Sequence, residues 1–98
     1  MKALIVPRVH MNGDTKATLT EGLNAASHAV VAAKEGLRQT APNARNFYVI
    51  SPSAFAVAVE QYRSRQERLQ SVYDELLAIF EAIENGEVSA EVKIEAEA

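Results

Sequence analysis

"SPSAFAVAVEQYRSRQERLQSVYDELLAIFEAIENG", residues 51–86, decides the fold. Phe55, Val59, Tyr62, Gln66, Leu69, Tyr73, Leu76, Phe80 and Ile83 recur at spacings of four and three, the rhythm of one stripe along an α-helix. Ser51 is a good cap, and Pro52 suits the first helical position, where its missing N–H costs nothing. Asn85-Gly86 is a good stop. The stretch therefore predicts a helix over residues 52–85, about 50 Å long at 1.5 Å per residue.

A helix with one apolar stripe needs something to lie against it, and the preceding sequence supplies a second. Leu19, Leu23, Ala26, Val30, Ala33 and Leu37 form another 4-3 stripe. Asn12-Gly13 offers a turn ahead of it, Asp14 or Thr15 an N-cap, and Pro42 a stop, which places the first helix at residues 16–40. Ala25, Ala26, Ala29, Ala32 and Ala33 permit a close approach by a neighbouring helix. The expected architecture is mainly α, one domain over residues 1–98: an antiparallel two-helix hairpin joined by residues 41–51, with short terminal β-strands.

The two helices differ in length. If Phe55 lies beside Leu37, Leu19 falls beside about Tyr73, and the far end of the second helix overhangs. Leu76, Ile79, Phe80 and Ile83 would then be uncovered, which predicts a homo-oligomer with these four at its interface. Two short segments are candidates to cover the same end, as a two-stranded ribbon laid over it or shared between chains. "ALIV" within residues 1–15 reads as a strand followed by a turn. In residues 86–98, Ala90, Val92, Ile94 and Ala96 alternate with Glu91, Lys93, Glu95 and Glu97, which fits a strand or an acidic tail.

Composition narrows the function classes. The chain has 98 residues, 48% hydrophobic and 23% charged, with a net charge of −3, an acidic balance that argues against duplex nucleic acid as a partner. No cysteine is present, which excludes disulfides and thiolate metal sites and fits a reducing cytoplasm. Four apolar residues before Pro7 are too few for a signal peptide, and nothing approaches a membrane span. There is no glycine-rich phosphate loop, no His-Glu-x-x-His and no nucleophile with a base at a recognisable spacing. Asp74, Glu75, Glu81 and Glu84 fit the polar side of an amphipathic helix. The expectation is a protein without catalytic activity, cofactor or metal.

Three constellations could still carry binding chemistry. His10, Asn12, the amide of Gly13 and Thr15 precede a helix N-terminus, where outward N–H groups favour a phosphate or carboxylate; Asp14 competes for the same amides, and a purely local turn is the alternative. "PNARNFYVISPS", residues 42–53, is richer than a turn requires. Arg45, Asn46 and Tyr48 could stack on flat rings and pair with anions; the alternative is a lid in which Phe47, Val49 and Ile50 fold over the hairpin and Arg45 caps the last carbonyls of the first helix. In "EQYRSRQER", residues 60–68, Gln66 puts a polar group on the stripe, and Arg65 shares a face with Arg68, either for an anion or as part of a solvated surface with Glu60, Arg63 and Glu67. His28 lies off the stripe and reads as a surface histidine.

"VPRVHMNGDT" and "APNARNFY" together resemble small phage and prophage proteins that carry a Val-His-x-Asn-Gly opening and a Pro-Asn-x-Arg segment between two helices. A helical hairpin with Pro-x-x-Arg at its bend, Pro42 to Arg45, is also similar to phage proteins that sequester the cyclic-nucleotide signals of CBASS and Thoeris immunity. The second resemblance implies an oligomer with ligand pockets between protomers, in the cytoplasm of an infected host. Phe47-Tyr48 and the C-terminal alternation depart from that family. On this reading the ligand residues would be His10, Asn12, Gly13, Thr15, Arg45, Asn46, Tyr48 and Arg65; the competing reading is an interaction module that inhibits or scaffolds a host or phage protein through its helical surface.

Overall fold

The computed structural model describes residues 3–86 and the backbone of a strand at residues 91–93. It is mainly helical. Strand β1 (Ala3–Ile5) is followed by helix α1 (Lys16–Leu37), helix α2 (Ala54–Glu84) and strand β2 (Glu91–Lys93), and the two helices account for more than half of the chain. Residues 94–98, which carry part of the C-terminal alternation, lie outside the described residues.

Thr15, not Asp14, starts α1: its backbone is extended and its hydroxyl accepts the Thr18 N–H at 3.1 Å, satisfying one of the donors left over at a helix start. The helix stops at Leu37, three residues earlier than expected, and closes with a 3-10 turn (Arg38–Thr40) in which the Thr40 hydroxyl donates to the Leu37 carbonyl at 2.7 Å. Helix α2 begins two residues later than its proline suggests, with Ser53 in the cap position and no side-chain cap bond. It ends as expected, with Gly86 at φ +68° and its N–H donating to the Ile83 carbonyl at 3.1 Å.

Leu19, Leu23, Ala26, Val30 and Leu37 of α1 are half-buried, as are Val59, Tyr62, Leu69, Tyr73, Leu76, Ile79 and Phe80 of α2, so the two stripes do face inward. Their register differs from the expected one. Lys16 reaches the Glu84 carbonyl at 3.3 Å and the Glu84 carboxylate at 3.6 Å, which sets the start of α1 level with the end of α2. Lys34 donates to the Gln70 side chain and lies 5.5 Å from the centre of the Tyr73 ring, and Leu37 and Gln66 line one notch. The overhang is therefore at the opposite end from the one anticipated. Helix α2 has 31 residues against 22 for α1, and the surplus of nine, about 13 Å, projects past the C-terminus of α1. The physical reason is that residues 41–53 do not form a tight turn: they include a 3-10 turn (Ala44–Asn46) and carry the chain back toward the start of the longer helix.

The other end is closed by β1, which pairs antiparallel with β2 in the register Ala3↔Lys93, Leu4↔Val92, Ile5↔Glu91. Leu4 and Val6 are buried while Ile5 faces solvent, the alternation of a strand covering one face. Val6, Ala82 and Ile83 form the core cluster, with Leu19, Leu23 and Ile79 packed against it. Thr20 is buried beside them and places its hydroxyl on the Lys16 and Ala17 carbonyls at 2.9 and 3.2 Å, so it is satisfied. Of the four residues expected to await a second copy, Ile83 is covered within the chain, at only 5% exposed, while Leu76, Ile79 and Phe80 are half-buried.

The molecule is long and thin, 61 × 24 × 18 Å, with a radius of gyration of 18.3 Å against about 12.6 Å for a typical domain of this length. Among the described residues no helix is long and apolar enough to cross a membrane.

Candidate functional site

The turn before α1 is built from its own polar groups. Gly13 N–H donates to the His10 carbonyl at 3.1 Å, and Asn12 N–H donates to His10 Nδ1 at 3.3 Å. The imidazole lies so close over Gly13 that a β-carbon there would meet Nε2 at 2.7 Å, which is why this position suits glycine. Thr15 is already engaged as the cap. Three of the four groups expected to hold an anion thus have hydrogen-bond partners within the turn and the helix start. His28 is exposed.

The connecting segment is likewise self-contained. Asn43 Oδ1 accepts both the Arg45 N–H at 3.0 Å and the Arg45 Nε–H at 3.4 Å, and the Asn43 carbonyl accepts the Asn46 N–H at 2.9 Å. Phe47 and Tyr48 donate their N–H groups to the Ala44 carbonyl at 3.0 and 3.1 Å, and Ile50 donates to Phe47 at 2.9 Å. A lid forms only in part. Phe47 alone turns inward, its ring centre 6.4 Å from that of Phe55. Val49 and Ile50 face solvent at 72% and 69% exposure, with Tyr48 at 70%. Arg45 is held by Asn43 and does not cap α1, whose end is served by the Arg38 N–H and the Thr40 hydroxyl.

On α2, Arg63 pairs with Glu60 at 3.4 Å, Arg68 donates from Nε to the Ser64 carbonyl at 3.3 Å, and Arg65 is exposed. Gln66 does not interrupt a core: it is exposed and donates to the Tyr62 hydroxyl at 3.4 Å, because α1 is ending beside it. It lines a notch of about 140 Å³ with Val31, Lys34, Glu35, Leu37 and Arg38, well below the roughly 300 Å³ at which ligand pockets begin. A shallow open groove runs along Ala56, Val57, Glu60, Gln61 and Ser64 on the overhang. Among the described residues no group of three potential metal ligands gathers.

The structure keeps the expected ligand residues apart. His10, Asn12, Gly13 and Thr15 precede α1, whereas Arg45, Asn46 and Tyr48 follow it, so the 22 residues of that helix, about 33 Å, separate the two sets. What the sequence reading missed is the exposed apolar group at the open end, Tyr48, Val49, Ile50 and Val57; three bulky residues in a row between two capped helices was the available signal. Protein-family models, curated proteins and solved structures yield no match to this chain.

Proposed function

We propose that this chain is a non-enzymatic interaction protein that works through the open end of its hairpin, where residues 48–50 and the first turns of α2 meet a protein surface. The observation that carries the reading is that Tyr48, Val49 and Ile50 stand about 70% exposed on a backbone held by its own hydrogen bonds. Consecutive bulky residues in water mark a contact surface, and a turn already ordered loses little further freedom on binding. In the setting that the phage resemblance implies, the partner is a host or phage protein that is blocked or scaffolded.

A second reading, sequestration of a small anionic ligand such as a cyclic-nucleotide immune signal, is favoured by one observation. Arg45, Asn46 and Tyr48 sit exposed within one preformed turn. It needs a neighbouring subunit to bring its His10 turn to the Arg45 end, since one chain cannot span the gap.

One experiment separates the two. In cross-linking from native lysate, the interaction reading expects contacts around residues 48–57 that vanish in Val49→Asp/Ile50→Asp, and no nucleotide that shifts the melting midpoint. A nucleotide that stabilises the protein by about 2.7 kcal/mol at 100 times its dissociation constant, with the effect lost in Arg45→Ala, would transfer the conclusion to the second reading.

A further inference from the structure

We infer that the protein surface met by the open end is acidic, its carboxylates pairing with the arginines that flank the exposed apolar residues. The inference rests on the interaction reading and names the chemistry of the partner.

Charge divides this chain by position. Gln66 lies beside the end of α1, so residues 38–65 make up the open end, and they carry Arg38, Arg45, Arg63 and Arg65 against one acid, Glu60. That is a balance of +3 in a chain whose net charge is −3. Residues 3–37 and 66–86 reverse it, with four cations against eight acids, a balance of −4; Asp74, Glu75, Glu81 and Glu84 sit on the second half of α2. At physiological ionic strength a charge is felt over about 8 Å, so in a molecule 61 Å long the acidic end does not cancel the basic one. An acidic partner therefore draws in the open end and repels the closed one, which orients the encounter.

The residue types fit carboxylates on a protein. Every cation in residues 38–65 is an arginine, and all four are exposed. A guanidinium pairs with a carboxylate through two parallel N–H bonds, and arginine and tyrosine are enriched where protein interfaces hold most of their energy. Arg45 lies three residues before Tyr48 in the same hydrogen-bonded turn, with Asn43 holding its Nε–H, so charge and apolar surface are presented together. Among the described residues neither Arg45 nor Arg65 forms an ion pair, while the Arg63–Glu60 and Arg38–Glu35 contacts, at 3.4 and 3.6 Å on the surface, cost little to exchange. A duplex nucleic acid rewards a longer basic face, and along this molecule it would run against the acids of the closed half.

The test places a photoreactive residue at Ser53, which is exposed and makes no side-chain cap bond, and irradiates the full chain in native lysate at about 0.15 M and about 0.5 M salt. Beside it stand Val49→Asp/Ile50→Asp, Arg45→Glu/Arg65→Glu and, on the closed half, Glu21→Lys/Glu81→Lys. The expected result is a protein adduct lost in the Val49/Ile50 variant, weakened about tenfold or more by the arginine reversal and by the higher salt, and kept in the Glu21/Glu81 variant. The partner peptides in the adduct should be rich in Asp and Glu. An adduct that needs Val49 and Ile50 but ignores salt and the arginine reversal overturns the acidic partner and leaves the interaction reading standing. Absence of any adduct that needs Val49 and Ile50 overturns both. An adduct abolished by nuclease, or arginine-dependent pelleting with phosphatidylglycerol vesicles in place of a protein adduct, overturns the inference in favour of nucleic acid or lipid. Should the arginine variant lose its helical circular dichroism, the salt dependence of the parent decides.

Discussion

The two ends of this hairpin use the same kinds of residue to opposite effect. At the closed end, Val6, just after β1, packs with Ala82 and Ile83, Leu4 is buried, and the helix ends are tied by Lys16 and Glu84. At the open end, Tyr48, Val49 and Ile50 are as apolar but have no layer above them, and only Phe47 finds a partner, in Phe55. The difference is one of coverage. Hydrophobic residues stabilise a fold when another element removes them from water, and otherwise they are available to another molecule.

The same substitution at the two ends should make that contrast largest. Ile83→Asp places an unpaired carboxylate in the core cluster and should cost more than about 4 kcal/mol, enough to unfold a domain of ordinary stability. Ile50→Asp, measured by denaturation at submicromolar concentration where chains are apart, should change stability by less than about 0.5 kcal/mol. Comparable losses at both ends would erase the distinction. Thr15→Ala removes the cap that starts α1 and should cost about 1 kcal/mol in the same assay, since the Thr18 N–H loses its acceptor. A neutral result would show that the cap bond contributes nothing.

Much of this contrast was hidden in the sequence, and the reasons are specific. The start of α1, the stop at Gly86 and a strand at residues 3–5 were legible, because caps and alternation are local signals. The helix register was not. Phe55 and Gln66 are both stripe positions eleven apart, about three helical turns, so sliding α1 from one to the other presents the same face. Only the closed end, where Lys16 meets Glu84 and β1 seals the cluster, distinguishes the two alignments. The inward placing of Val49 and Ile50 failed for a related reason: apolar character gives a residue no direction, and the turn hydrogen bonds around Ala44 and Phe47 set it instead.

Two smaller tests sharpen the picture at the turn and the helix ends. Gly13→Ala should cost about 0.5–1 kcal/mol, because the new methyl displaces the His10 ring that receives the Asn12 N–H; in a His10→Ala background the penalty should shrink. Additive costs would mean that the ring and Gly13 do not interact. Glu84→Gln should be the mildest change, about 0.3 kcal/mol at low salt and none at 1 M, since the Lys16 pair is half-exposed and α2 still offers its Glu84 carbonyl.

The central claim is that the fold's own stability resides at the closed end, and amide hydrogen exchange at submicromolar concentration tests it most directly. The account predicts the slowest exchange in α1 over residues 20–30 and in α2 over residues 72–83, with the amides of residues 58–64 exchanging far faster although they belong to the same continuous helix. Protection that is uniform along α2, or greatest in its overhang, would contradict it.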